Sequence, residues 1–403
     1  MDVALIQRLA SKEAQDFIAE HESADENKLA LKYKTLFGLP FALIAQQLVG
    51  RRKSKDKLPT WYNTKEVVFP PTINLEQCSS QATARFKANW IANLQSNKDS
   101  FLDLTGGFGV DSFFFSQIFR KGIVVEPNAE LLPVTTHNHL KLGVQNLAYH
   151  CVHAEDFLKT NTLSFDLLYV DPSRRSEAKK VFKLADCVPN VATLQQQLMA
   201  SACWILVKAS PLLDIQQALR ELAHVQEVVV LAVDNEVKEL LFLQNQKFAG
   251  EPSIRAVNLQ TTDQTQTDFT FLFSDEKDID LAPSPPKAFL YEPHATILKA
   301  GAFKSIAKHF GLQKIHPNTH LYTSEKMVHE FFGRIFKVET LQPQGKELKN
   351  WLPNGKANVI TRNYPLSPEE LKRKLKLKDG GDNYVIGFSE EKRKTIAIAT
   401  RIK

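Results

Sequence analysis

The chain has 403 residues, 43% hydrophobic and 24% charged, with a formal net charge of +6. That balance is ordinary for a soluble globular protein of two or three domains, and the lack of any apolar run long enough to cross a bilayer excludes a membrane-spanning protein. Four scattered cysteines, Cys78, Cys151, Cys187 and Cys203, form no CxxC or CxxH pair, so neither a disulfide framework nor a metal site is expected and a reduced cytoplasm is the expected compartment.

Residues 1 to about 70 predict helices, because "ALIQRLA", "EAQDFIAEH" and "FALIAQQLVGRRK" carry apolar positions at a 3.6-residue period. The opening "MDVALIQRLASKEAQDF" spaces its charges as an amphipathic helix does, unlike the blocks of a signal peptide. "LPTW" and "FPPT" then punctuate the chain. From about 98 to 250, short β-branched or aromatic runs alternate with helical ones, which predicts parallel βαβ units in a doubly wound sheet. The strand candidates are "SFLDL", "GIVVE", "LAYHCV", "FDLLYVD", "CWILVK", "EVVVLAV" and "KELLFLQN". Only "DNEV" separates the last two, so they read as an antiparallel edge hairpin. Residues 251–285 are polar and end in the linker "LAPSPPK". The expected domains are 1–75, 76–255, 284–327 and 328–403.

Charge is unevenly distributed. Residues 341–403 hold 14 Lys and Arg against 7 Asp and Glu, a surplus larger than that of the whole chain. A second basic stretch, Lys28 to Lys57, includes "RRKSKDK", where only Asp56 opposes the cations. One such run can be a solvated face; two flanking an enzyme-like core suit an anionic polymer.

The glycine turn in "FLDLTGGFGVD" carries the most information. A strand ends in Asp103, and Thr105, Gly106, Gly107 and Gly109 turn the chain into a helix, where a backbone can approach a ligand closely. NAD and nucleotide sites use similar turns, so this signal alone is weak. The next strand ends in Glu126-Pro127, 17 residues after Gly109, where a carboxylate can take both hydroxyls of a ribose. The third leads into "HAEDFL", whose Ala154 offers backbone contacts and whose Glu155 or Asp156 can reach an adenine amino group. Asp111 either caps the following helix or faces the ligand.

These features resemble, in order, the class I S-adenosylmethionine-dependent methyltransferases. The resemblance implies a Rossmann-like seven-stranded α/β sheet and S-adenosylmethionine (SAM) as cofactor, with the acidic strand ends facing its ammonium and ribose. In that family the fourth strand ends at the reaction centre, which places Asp171 of "YVDPSRRSEAKK" between cofactor and acceptor. Many amine methyltransferases of the family end this strand with prolines and a stacking aromatic. Here Ser173 and Arg174 stand in those places, so the stacking surface is missing.

Lys87 in "TARFKANWI", Asp171, Lys208 in "WILVKAS" and Glu239 in "KELLFL" resemble the Lys-Asp-Lys-Glu tetrad of ribose 2′-O-methyltransferases, with Glu236 competing for the last place. A ribose hydroxyl must lose its proton as the methyl arrives, and a lysine beside a second cation has a lowered pKa. Lys208 is therefore the expected base, with Lys87 its neighbouring cation and Asp171 and Glu239 orienting them. Arg174 and Arg175 beside the centre suit a substrate phosphate, or a helix-face ion pair.

The C-terminal "RNYPLSPEELKRKLKLKDGGDNYVIGF" resembles a THUMP-like domain, preceded at 284–327 by a ferredoxin-like segment. This implies RNA, ribosomal or transfer, as partner, with Lys372, Arg373 and Lys374 on phosphates. "KDGGDN" is a hairpin turn or a ligand loop. The expected function is ribose 2′-O-methylation of structured RNA in the cytoplasm. The alternatives are methylation of a base nitrogen (guanine N2 or adenine N6) and an RNA-binding protein with a vestigial cofactor pocket. The oligomeric state is left open.

Overall fold

The computed structural model describes residues 1–174, 183–262 and 265–403, and the chain divides into two compact units. The first comprises Met1–Val228 and Glu239–Gly250; the second comprises Val229–Lys238 and Glu251–Lys403.

The strands that position the site are β1 (Ser100–Asp103), β2 (Lys121–Val125), β3 (Leu147–His150), β4 (Phe165–Val170), β5 (Ala202–Ala209), β6 (Val225–Val233) and β7 (Glu236–Asn245), of which β6 from Val229 and β7 up to Lys238 belong to the second unit. They lie in the order β3-β2-β1-β4-β5-β7-β6. Strands β1 to β5 are parallel and β7 runs antiparallel to β5, as the alternation and the short β6–β7 connection predict. Asp234 and Asn235 at that connection have φ of 49° and 65°, the paired left-handed values a two-residue hairpin requires. The inner strands are continuous apolar runs because helices cover both faces; Phe101, Leu102, Leu168, Val170, Leu206 and Leu241 are fully buried.

The N-terminal helices pack into this same unit and do not form a separate domain. Their longest, Phe41–Lys57, is joined to the chain before the sheet by Gln46 and Gln47, which both donate to the carbonyl of Phe69 at 2.9 Å. The expected boundary at residue 75 falls inside the helix Thr72–Gln77. Thr72–Gln77 leads through Cys78-Ser79-Ser80 into the helix Gln81–Ala92, which Ser80 caps.

In the second unit, β8 (Ser253–Leu259) pairs antiparallel with β9 (Gln266–Phe271), within the polar segment for which no strand is expected. Ile254, Ala256, Val257, Phe269 and Phe271 supply its buried positions. A seven-stranded sheet follows, made of β10 (Phe289–Pro293), β11 (Gln313–His316), β12 (Thr319–Ser324), β13 (Gly333–Leu341), β14 (Asn358–Arg362), β15 (Asn383–Ser389) and β16 (Lys394–Arg401), in the order β11-β12-β10-β13-β16-β15-β14. Strands β14 and β15 are parallel, and the helix Pro368–Leu375 makes their crossover. Leu371 of that helix packs with Leu352, Ala357, Val385 and Ile398 in one buried cluster.

Candidate active site

Strand β1 delivers Asp103 to its C-terminal end, where the glycine turn begins. Gly107 and Gly109 have φ of 52° and 78°, and a Cβ at Gly109 would sit 2.5 Å from His139 Nε2. At Gly106 a Cβ would meet Val124 Cγ1 at 2.4 Å, so a side chain cannot enter this turn without displacing its neighbours. The turn is held from several sides. Thr105 N–H donates to Asp103 Oδ1 at 2.9 Å, Gly106 N–H to Val125 O at 2.8 Å, and Gly107 N–H to Glu126 Oε2 at 2.8 Å.

The fit to a nucleoside cofactor rests on Glu126 and the glycines. Each oxygen of Glu126 takes one backbone N–H, from Gly107 and from Asn128 at 2.9 Å, which orients the carboxylate and leaves a lone pair on each oxygen for a diol. Pro127 follows, exposed. Ala154 is buried at the start of the helix Ala154–Thr160, Glu155 is half-buried, and Asp156 is exposed and paired with Lys159 at 2.8 Å. Asp156 is thus engaged along its own helix.

Asp103 is only 1% exposed, and its oxygens accept from Thr105 N–H and from the hydroxyl of Ser112, so it braces the turn from within. Burial pushes its pKa up to about 7, against the pull of Ser112 and Thr105 and with Asp111 and Asp171 adding to the rise.

The second wall is a buried ionic cluster. Lys87, fully buried on the helix Gln81–Ala92, lies 2.7 Å from Glu239 Oε2 and 2.9 Å from Asp111 Oδ1, and donates to Ser79 Oγ at 2.9 Å. Asp111 also accepts from Ser79 Oγ at 2.7 Å and from the Tyr169 hydroxyl at 2.9 Å. Asp111 is therefore a counter-ion of Lys87. Burial raises its pKa, but Lys87 and Lys208 outweigh that and hold it below the usual range. Glu236 pairs with Lys238 at 2.7 Å and takes no part.

Asp171, just beyond β4, pairs with Lys208 of β5, and its N–H donates to Thr105 Oγ1 at 2.7 Å, which ties the fourth strand end to the glycine turn. The direction expected for Lys208 is reversed. Burial alone would lower its pKa, but Asp171, Glu239 and Asp111 outweigh burial and hold the ammonium well above its ordinary value. Lys87 does not act as the neighbouring cation that lowers it, because two carboxylates neutralise Lys87 first. Burial meanwhile raises the pKa of Asp171, with Lys208 pulling against it.

Three further residues belong to this cluster. Tyr169 lies two positions before Asp171 on β4, so period-two alternation could have placed both on one face. Ser79 was legible only as part of "QCSSQ". Lys57 donates to the carbonyls of Leu75 and Glu76 at 2.6 and 3.0 Å, and burial, with the charge of Lys208 adding to it, lowers its pKa.

The basic stretches are less free than their composition suggests. Arg51 pairs with Glu22 at 2.8 Å, Arg52 with Glu26, and Lys53 with Glu76. Lys372 is engaged by Glu369 and Asp379, both at 2.8 Å, and is no open phosphate contact. Arg373 and Lys374 are exposed. Arg175 and the side chain of Arg174 lie outside the described residues.

Comparison with known proteins agrees with this arrangement. A ferredoxin-like domain family matches residues 289–331, and a THUMP domain-like family matches residues 333–401. A crystal structure assigned as a methyltransferase from Porphyromonas gingivalis W83 is 30% identical, covers 100% of both chains and superimposes with a TM-score of 0.87. An S-adenosylmethionine-dependent methyltransferase of Mycobacterium tuberculosis (strain ATCC 25618 / H37Rv) is 23% identical over 308 residues, 75% of this chain and 80% of its own. Full-length similarity, the strand order and the glycine turn agree: the chain belongs to the class I S-adenosylmethionine-dependent methyltransferases that carry a C-terminal THUMP-like domain.

Proposed function

We propose that the protein binds SAM at the glycine turn and methylates a ribose 2′-hydroxyl of a structured RNA, ribosomal or transfer. The observation that carries this reading is the meeting of Lys87, Asp171, Lys208 and Glu239, drawn from four separate elements, in one ionic cluster whose half-exposed member is Asp171. Glu126, Gly107 and the backbone at Ala154 would hold the nucleoside, and SAM would supply an electrophilic methyl. The new O–CH3 bond forms as the S–CH3 bond breaks, and the hydroxyl proton needs an acceptor.

The Asp171–Lys208 ion pair supports Asp171 as that acceptor. Lys208 holds its proton, so the unprotonated partner is Asp171, whose burial favours proton uptake. Lys208 then orients the carboxylate, and Lys87 with Asp111 and Glu239 fixes the wall behind it. RNA as substrate is supported by the THUMP-like module and its exposed cations, and a cytoplasmic setting by four free cysteines. No helix among the described residues is long and apolar enough to cross a membrane.

The test is incubation with tritiated SAM and total RNA, followed by digestion to nucleosides. Label on the sugar is expected. Label on a base overturns the ribose assignment, and no label in RNA overturns the substrate class.

A further inference from the structure

The THUMP-like module carries one exposed aromatic side chain that its core does not use. Trp351 ends the helix Lys346–Trp351 and is 37% exposed, whereas Trp61 and Trp90 are buried. The next residue, Leu352, enters the same buried cluster as Leu371 and Ala357, so the chain turns inward and leaves the indole at the surface.

The segments that follow it are tied by hydrogen bonds and carry several cations. Asn383 Nδ2 donates to Trp351 O at 3.0 Å, which ties the helix end to the start of β15. Lys356 and Lys378 form a β-bridge, with Lys378 N–H on Gly355 O at 2.8 Å and Ala357 N–H on Lys378 O at 3.0 Å. The segment after Trp351 and the glycine turn of "KDGGDN" therefore move as one. Lys356, Arg373, Lys374, Lys376 and Lys378 are exposed, and none makes an ion pair among the described residues. Lys372 engages the neighbouring acids Glu369 and Asp379, so these do not neutralise the other cations.

An exposed indole in a module that also exposes unpaired cations has the chemistry of a single-strand site. An aromatic face stacks any base once that base is unpaired, while lysines and arginines follow the backbone. A continuous duplex offers phosphates but no free base face.

We propose that Trp351 is a base-stacking platform for an unpaired nucleotide of the RNA, with Lys356, Arg373, Lys374, Lys376 and Lys378 holding the flanking phosphates. The inference rests on RNA being the substrate, and its test separates the two.

Binding of the full-length protein to a labelled 12-nucleotide oligoadenylate and to a blunt 12-base-pair RNA duplex is measured by fluorescence anisotropy. Trp351→Ala is expected to weaken oligoadenylate binding about 5- to 150-fold and to leave duplex binding unchanged. Trp351→Phe, which keeps an aromatic face, is expected to stay within about threefold of wild type. Lys378→Ala is expected to lower the slope of log affinity against log salt by about 1 for either RNA, whereas Trp351→Ala leaves that slope as it is. Equal oligoadenylate affinity for wild type and Trp351→Ala, or equal losses on both RNAs, overturns the stacking site while leaving RNA as the substrate. Wild-type protein that binds neither RNA overturns both readings.

Discussion

Replacing Lys87 with methionine keeps the volume of the side chain and removes its charge. Glu239 at 3% exposure and Asp111 at 8% then face each other without their shared cation. Breaking a buried ion pair from one side costs about 3–5 kcal/mol, because the remaining charge stays desolvated. For a unit of roughly this size each kcal/mol shifts Tm by about 2–4 °C, so a fall of about 6–20 °C is expected. Denaturant unfolding at pH 7.5 gives the free-energy difference, and Lys87→Met/Glu239→Gln should recover at least ~1 kcal/mol of it.

The loss should also depend on pH. In the wild type Lys87 depresses the Asp111 pKa, a contribution present above the unfolded value and lost as pH falls through the folded one. In Lys87→Met the pull of Lys87 is gone while Lys208 and Ser79 still oppose burial, so Asp111 takes up its proton at higher pH than in the wild type and the gap between the two proteins narrows toward pH 4. A loss below ~1 kcal/mol, or one that is flat with pH, would refute the buried-cluster account.

Other outcomes follow from the same geometry. Asp171→Asn should lower methyl transfer to RNA by roughly 10²–10⁴-fold while SAM affinity, read by calorimetry, changes little. Gly109→Ala forces a side chain to φ 78° and against His139, and should cost about 2–4 kcal/mol in denaturant unfolding. The raised pKa of Asp103 adds stability that is complete below its unfolded value and fades as pH climbs through about 7. Relative to Asp103→Asn, the wild type should therefore lose roughly 4 kcal/mol between pH 4 and 8, as pH-dependent unfolding would show. Arg373→Ala should reduce the salt slope of RNA binding by about 1, and an unchanged slope would remove Arg373 from the interface.

Much of the fold was legible because its signals are local. Alternating strand and helix periods mark the parallel sheet, two turn residues mark the β6–β7 hairpin, and glycines after Asp103 mark the turn. The strands β8 and β9 escaped because polar residues such as Arg255, Asn258, Thr267 and Asp268 interrupt their apolar positions and mask the strand period. The helical N-terminus resembled a separate domain because composition carries no record of which surfaces meet.

The amino-acid order alone determined that carboxylates and lysines stand at the ends of adjoining strands, since each strand's end is written in its own few residues. Only the tertiary structure decided which of them pair. Lys87 and Glu239 are 152 positions apart, and Asp111 joins them through contacts with Ser79 and Tyr169 that no local pattern encodes. The reason is electrostatic: in a buried site, interaction strength depends on separations of a few ångströms and on desolvation, and both arise only once distant segments pack.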